Sequence, residues 1–179
     1  MIYEKIKLRA PEPEDLAILY EWENNPSIWE ISNTLSPFSK YTLRKYIENS
    51  HKSIFETGQL RLMIDILDTG KTIGTIDLFD FDPFHLRAGM GILIADTSER
   101  RKGYAGMAIR CLRDFCFNNL KLRQIYCNIT VDNKASIDLF SKMGFIEIGR
   151  KKDWIRKGNG FTDEIMFQMI KQKDVQYPG

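Results

Sequence analysis

Ile92-Leu93-Ile94-Ala95-Asp96-Thr97-Ser98-Glu99-Arg100-Arg101-Lys102-Gly103-Tyr104-Ala105-Gly106 is the stretch on which the fold turns. Its first four residues are a short apolar run of the kind that forms a buried strand. A polar loop follows, then three consecutive cations, and then Gly103 opens a helix with Ala105, Ala108, Ile109, Leu112, Phe115 and Cys116 on its core side. A helix N-terminus presents unpaired N–H groups and the positive end of the macrodipole. Gly103, Ala105 and Gly106 let an anion come close to those groups, and Arg100, Arg101 and Lys102 add charge at the same point. The segment is therefore an anion site suited to phosphate or pyrophosphate. It lacks the Gly-Lys-Ser/Thr of a P-loop and the G-x-G-x-x-G spacing of a dinucleotide fingerprint. Over so few residues, a basic, glycine-opened cap that binds nothing would read the same.

Working outward, Lys5 to Arg9 alternates as a first strand, and a helix carries Leu16, Leu19, Tyr20 and Trp22 up to Asn24-Asn25-Pro26. Ser27 to Ser39 reads as irregular. A second helix is expected from about Lys40 to Glu56, stopped by Gly58. Leu60 to Leu67 and Thr72 to Phe81 read as strands joined by the hairpin turn Asp68-Thr69-Gly70-Lys71, with a further strand over Arg87 to Ala95. After the helix at Gly103 come a strand over Leu122 to Thr130, a short helix over Asn133 to Met143 closed by Gly144, and two strands, Phe145 to Ile155 and Phe161 to Ile170. This order predicts an α/β fold: one mixed sheet with helices on both faces, in a three-layer sandwich.

The 179 residues suit one domain spanning 1–179. With 26 basic and 24 acidic residues, the net charge of +2 gives no argument for a nucleic-acid partner. Arg150, Lys151, Lys152, Arg156 and Lys157 make a basic hairpin without a nucleic-acid motif, read as a solvated edge or a subunit contact. Cys111, Cys116 and Cys127 include no CxxC pair and read as buried thiols, so no metal site is expected and a cytoplasmic location is. No run approaches the roughly 20 apolar residues of a membrane span, so no membrane partner is expected.

Arg100-x-x-Gly103-x-Ala105 matches the Q/R-x-x-G-x-G/A acyl-CoA pyrophosphate motif of the GNAT superfamily of N-acetyltransferases. Asn133-Lys134-Ala135-Ser136-Ile137-Asp138-Leu139-Phe140-Ser141-Lys142-Met143-Gly144-Phe145 is similar to that family's second motif, N-x-x-S-x-x-L-Y/F-x-K-x-G-F. The opening (Ile6 to Arg9, Glu14 to Leu16, Asn24 to Pro26) and the end (Gly149-Arg150, Gly158 to Asp163) resemble the ribosomal-protein-acetylating and spermidine-acetylating branches. The resemblance implies acetyl-CoA as co-substrate, held between two splayed parallel strands. Pantetheine would pair with Leu93, Ile94 and Ala95. The pyrophosphate would rest at Arg100, Arg101, Lys102, Gly103, Tyr104, Ala105 and Gly106. Asn133 and Ser136 would meet the pantetheine arm and Lys142 the nucleotide end. A helix N-cap for Asn133, and a solvated charge for Lys142, are the plainer readings. A strand N–H at Leu93 or Ile94 would stabilise the oxyanion.

The resemblance further implies direct attack by a primary amine in a ternary complex, the amine being a small polyamine such as spermidine. The alternatives are a protein N-terminus or a weakly catalytic acyl-CoA-binding module. A free alkylamine has a pKa near 10, so a base must take its proton. Asp77 is the first choice and Asp82 the second, with His85 a further base by type. Glu21, Glu23, Glu30 and Asp80 belong to an acidic entrance suited to a cation, with Glu21, Glu30 and Asp80 as substrate-binding candidates. Strand alternation puts Asp77 and Asp80 on opposite faces unless a bulge intervenes. Trp22, Trp29 and Phe38 are pocket walls or core. The family's usual acid, a tyrosine of the second motif, is here Phe140, which leaves departure of the thiolate unaided, Tyr126 or a water. The resemblance also implies a homodimer or larger homo-oligomer.

Overall fold

The computed structural model describes residues 1–32 and 34–172, with the side chains of residues 30–32 excepted. Eight strands form one mixed sheet in the order β1-β2-β3-β4-β5-β6-β8-β7. They are β1 (Ile2–Tyr3), β2 (Ile6–Arg9), β3 (Leu60–Ile66), β4 (Thr72–Asp82), β5 (Arg87–Ile94), β6 (Gln124–Thr130), β7 (Ile146–Lys157) and β8 (Gly160–Ile170). Only β5 and β6 pair in parallel; every other neighbour is antiparallel. The helices are α1 (Leu16–Glu23), α2 (Pro26–Ser32), α3 (Lys40–Glu48), α4 (Ile54–Thr57), α5 (Tyr104–Asn118) and α6 (Lys134–Lys142).

Alternation along β3 separates the two layers of helix. Leu62, Ile64 and Ile66 belong to the larger core, with Ala108, Ile109, Leu112 and Cys116 of α5. Met63 points the other way and meets Leu19 and Trp22 of α1, Ile28 of α2 and Ile47 of α3. Burying each of these large side chains is worth about 1.5–3 kcal/mol, so both layers are anchored. Cys111, Cys116 and Cys127 are buried free thiols. Among the described residues no helix is long and apolar enough to cross a membrane.

Two expectations are corrected. Residues 27–39 are not irregular throughout, because α2 occupies the first part. The Asn25 side chain accepts the Ser27 N–H (3.0 Å) and Pro26 supplies the first helical residue, a strong local start signal. The helix expected over Lys40 to Glu56 is two helices. The first ends at Glu48, with Asn49 as its C-cap, and the second starts afresh from Ser53, whose capping box with Glu56 serves the new N-terminus. Gly58 then closes α4 at φ 70°.

Candidate active site

β5 and β6 pair only through Arg87–Gln124, Ala88–Ile125 and Gly89–Tyr126. Beyond this, β5 runs on to Ile94 and β6 to Thr130 with no pairing between them, so the sheet opens. The slot between them holds about 310 Å³ and is lined by residues 90–93 of β5, 127–130 of β6, and Asn133, Ser136 and Phe140 at α6.

Which amides face the slot follows from the β4–β5 ladder. The Ala95 N–H donates to the Ile73 carbonyl (2.9 Å), and Thr75 pairs with Leu93. In an antiparallel ladder every second residue turns both polar groups to its partner. Ala95 and Leu93 therefore turn to β4, while Ile92 and Ile94 turn to the slot. This removes Leu93 and Ala95 as pantetheine partners through their amides and Leu93 as an oxyanion donor. Ile92 and Ile94 are the residues whose amides face the slot. The Ile92 signal lay in the register, which no local pattern reveals.

At the far end of β5, the Arg100 Nε donates to the Ile94 carbonyl (2.8 Å), tying the basic cluster to the strand edge. Arg101 (φ 63°) and Gly103 (φ 88°) coil the loop before α5. Gly103 is the N-cap and no side chain caps it, so the N–H groups of Tyr104, Ala105 and Gly106 begin a helix that the protein leaves uncapped. A Cβ on Gly106 would sit 3.5 Å from Met143, so α6 flanks this turn closely. Lys102 is drawn to Glu99 (2.8 Å), and Lys71 binds Asp96 (2.6 Å) and Glu99 (3.3 Å), pinning the loop. The hydrogen bond from Lys71 holds the Asp96 carboxyl down at about 2. Lys142 is exposed at the end of α6 and lies outside the slot lining. Asn133 is indeed the N-cap of α6, accepting the Ser136 N–H (3.2 Å), while both residues line the slot.

On the α1–α3 face, Arg61 of β3 joins two carboxylates. Its Nε binds Asp77 (2.6 Å) and its Nη1 binds Glu23. All three line both the slot and an adjoining chamber of about 370 Å³, whose walls include Phe38, Tyr46 and Phe79. Burial pushes the Asp77 carboxyl above the usual range, and Arg61 only partly opposes this. Gly89 makes the room that Phe79 needs: a Cβ there would lie 2.2 Å from the ring.

The other acidic candidates separate. β4 does bulge between Phe79 and Asp82, and Asp80 takes φ 48°. The bulge aims Asp80 at a third cavity, where its carboxylate accepts the Tyr126 hydroxyl (3.1 Å), and Asp82 lines the same cavity. Neither reaches the slot. Asp82 instead accepts the His85 N–H (2.9 Å) and pairs with its ring (2.8 Å), so it and His85 hold the turn, and the second-choice base is displaced. Glu21 is exposed and lines neither slot nor chamber, whereas Glu23 lines both. The side chain of Glu30 lies outside the described residues. Trp22 is core, Phe38 walls the chamber, and Trp29 donates its Nε1–H to the Glu23 carbonyl (2.6 Å).

Phe140 lines the slot, buried edge-on against Phe145 (5.0 Å), and offers no proton. Tyr126 lines the third cavity and already donates to Asp80, with its hydroxyl raised to about 12 mainly by burial and also by Asp80. It is poorly placed as the acid. Sequence reading also missed Glu164 of β8, buried at the slot and paired with Lys151 (2.8 Å) of the basic hairpin. Two other cations of that hairpin are likewise paired, Lys157 with Asp132 and Arg150 with Asp163 (3.8 Å).

Known proteins match the chain in sequence and in fold. The family model "Acetyltransferase (GNAT) domain" matches residues 5–146. A spermidine N(1)-acetyltransferase of Vibrio cholerae is 28% identical over 146 residues, 81% of each chain. An uncharacterized N-acetyltransferase, p20, of Bacillus licheniformis is 26% identical over 95% of each. A crystal structure of spermidine N-acetyltransferase from Vibrio cholerae in complex with CoA and spermine superposes with a TM-score of 0.83, at 23% identity, over 93% of this chain and 95% of that one. A strand-edge slot, an uncapped basic helix start and a matching family model together place this chain in the GNAT acetyltransferase family, whose members are N-acetyltransferases drawing on acetyl-CoA.

Proposed function

We propose that the enzyme acetylates a primary amine of a small polyamine such as spermidine, by direct attack within a ternary complex. The Glu23–Arg61–Asp77 group carries this reading. Two carboxylates around one guanidinium leave a net negative charge where the slot meets an aromatic-walled chamber. An alkylammonium finds counter-charge there, in a chamber walled by Tyr46 and Phe79. The spermidine acetyltransferases among the relatives support the same substrate class.

The residues present fit acetyl-CoA. The edge amides of Ile92 and Ile94 suit the amide arm, and the uncapped α5 N-terminus with Arg100, Arg101 and Lys102 suits the phosphates. When bound, acetyl-CoA supplies the activated acyl group. Asn133 and Ser136 wall the slot on its other side. Asp77 takes a proton from the acceptor ammonium, directly or through one water, because its raised carboxyl is a better match to an amine than an ordinary aspartate. The Ile92 or Ile94 N–H meets the negative charge that develops on the carbonyl oxygen. Cys127 also lines the slot, but burial pushes its thiol up, so it remains protonated. That supports direct attack over an acetyl-cysteine route.

The edge strand β7 leaves Ile146 and Trp154 70% and 58% exposed, which supports assembly of two or more copies through this edge. Light scattering that gives a monomer mass would end that part of the reading. For the substrate, thiol release is measured with spermidine, spermine, diamines, amino acids and an Ala- or Ser-starting peptide. Saturable turnover with polyamines is the expected result. Turnover with the peptide alone reassigns the enzyme to N-terminal acetylation. CoA binding with no turnover makes it an acyl-CoA-binding module.

A further inference from the structure

Glu164 is 7% exposed, yet it lines the slot from the β6 side, opposite Asp77. Its register partner is Thr130, so it shares a face with Asn128 and Tyr126 rather than with the α5 core. Lys151 holds Oε2 (2.8 Å), and among the described residues nothing else hydrogen-bonds this carboxylate, which leaves Oε1 to the cavity. Lys151 itself comes from the neighbouring cavity, where Asp80 and Asp82 also lie, with its ammonium 5.1 Å over the Trp154 ring. The pair thus forms a partition between the slot and that outer cavity.

A lysine ammonium and the terminal ammonium of a diamine are the same chemical group. Exchanging one for the other at Glu164 keeps a buried carboxylate paired throughout and avoids the large cost of leaving it bare. The displaced Lys151 ammonium has carboxylates to receive it in its own cavity. We infer that Glu164 binds a second ammonium of the acceptor, with Lys151 as an internal stand-in that the acceptor displaces. This rests on the polyamine reading above and sharpens it. One nitrogen of the acceptor lies at Asp77 for reaction and another at Glu164 for selection, so the favoured class is dicationic or longer.

The test compares spermidine with butylamine in steady-state thiol release by the wild type, Glu164→Gln, Lys151→Gln and the double variant, with melting temperatures alongside. Glu164→Gln is expected to reduce the preference for spermidine over butylamine, as the ratio of kcat/KM, by about tenfold or more, the usual scale for losing a charged hydrogen bond. Lys151→Gln is expected to lower the KM for spermidine several-fold, because its competitor is gone. A merely structural bridge gives the opposite pattern: both single variants lose stability, both raise KM, and neither alters the preference. Should Lys151→Gln fold poorly, the double variant has no bare carboxylate, and a wild-type spermidine preference in it overturns the inference. If the wild type turns over no polyamine, the functional reading fails and this inference with it. If spermidine is turned over with a preference indifferent to Glu164, this inference alone fails.

Discussion

Arg9 and Arg61 each clamp two carboxylates on the same face of the sheet, on either side of Met63, and yet they do different work. Arg9 makes a two-pronged contact with Asp15 (2.6 and 2.9 Å), adds Asp65 (2.6 Å), and touches neither slot nor chamber. Burial alone would raise the Asp15 carboxyl, but hydrogen bonds from Arg9 and from the Glu12 N–H (2.8 Å) outweigh it and hold the group below the usual range. Arg61 gives Asp77 one such bond, burial wins, and the carboxyl ends above the usual range. The same three-group chemistry yields a structural clamp where the carboxylate is fully bonded and, in the function proposed above, a base where it is left wanting a proton beside a cavity.

The hardest blow to this contrast falls on Asp77. Asp77→Asn keeps shape and a hydrogen-bonding oxygen but loses basicity, and kcat/KM for the preferred amine is expected to fall about 10²–10³-fold with the fold intact. A variant retaining a tenth of wild-type activity would place the base elsewhere. Asp15→Asn should do the reverse. About 2 kcal/mol of stability is expected to go, read from the urea midpoint, with the folded fraction fully active. Because the Asp15 carboxyl is lowered in the folded state, its contribution is present above the unfolded value and lost as pH falls through the folded one. Wild-type stability should therefore fall below about pH 4, and Asp15→Asn should lose that part of the slope.

A smaller effect separates the two clamps by pH. As the proposed base, Asp77 would work deprotonated, so kcat/KM should fall on the acid side at a pH above the ordinary carboxylate range. Arg61→Gln removes the cation that lowers this carboxyl, so the acid limb should move to still higher pH. An unmoved limb would mean that some group other than Asp77 sets it.

The contrast also shows what the sequence could tell. The strand, loop and helix of residues 92–106 lie next to one another in the chain, as do Asn133, Ser136 and Phe140. Local patterns placed the strand, the loop and the uncapped helix start, and the motif resemblance placed the opening between the two parallel strands. The hairpins and the Gly58, Gly103 and Gly144 caps were legible for the same reason. Arg61, Glu23 and Asp77 meet only because β3 pairs with β4 in one register and α1 packs above. Glu164 enters through the β6–β8 ladder, and Ile92 replaces Leu93 because of which pairs hydrogen-bond in β4–β5. None of these has a signature within a short window. The bulge that turns Asp80 onto the face of Asp77, at a different cavity, was foreseen only as a condition.

If the chemistry rests on the carboxylate side of the slot, the α6 side should matter little, and Phe140 tests that. A general acid typically contributes 10²–10⁴-fold, so a reaction limited by a missing acid would gain on that scale from Phe140→Tyr. The ring is buried against Phe145 and lines the slot, so Phe140→Tyr is the direct test of a proton donor on this side. Thiols have a pKa near 8.5, well below an alcohol's, and the thiolate is a tolerable leaving group at neutral pH without a dedicated donor. The expected outcome is a kcat within about threefold of wild type, well short of the range for a general acid. A hundredfold rise would show that the wild type works without an acid it needs, and would move the rate-limiting step from proton removal at Asp77 to departure of the thiolate.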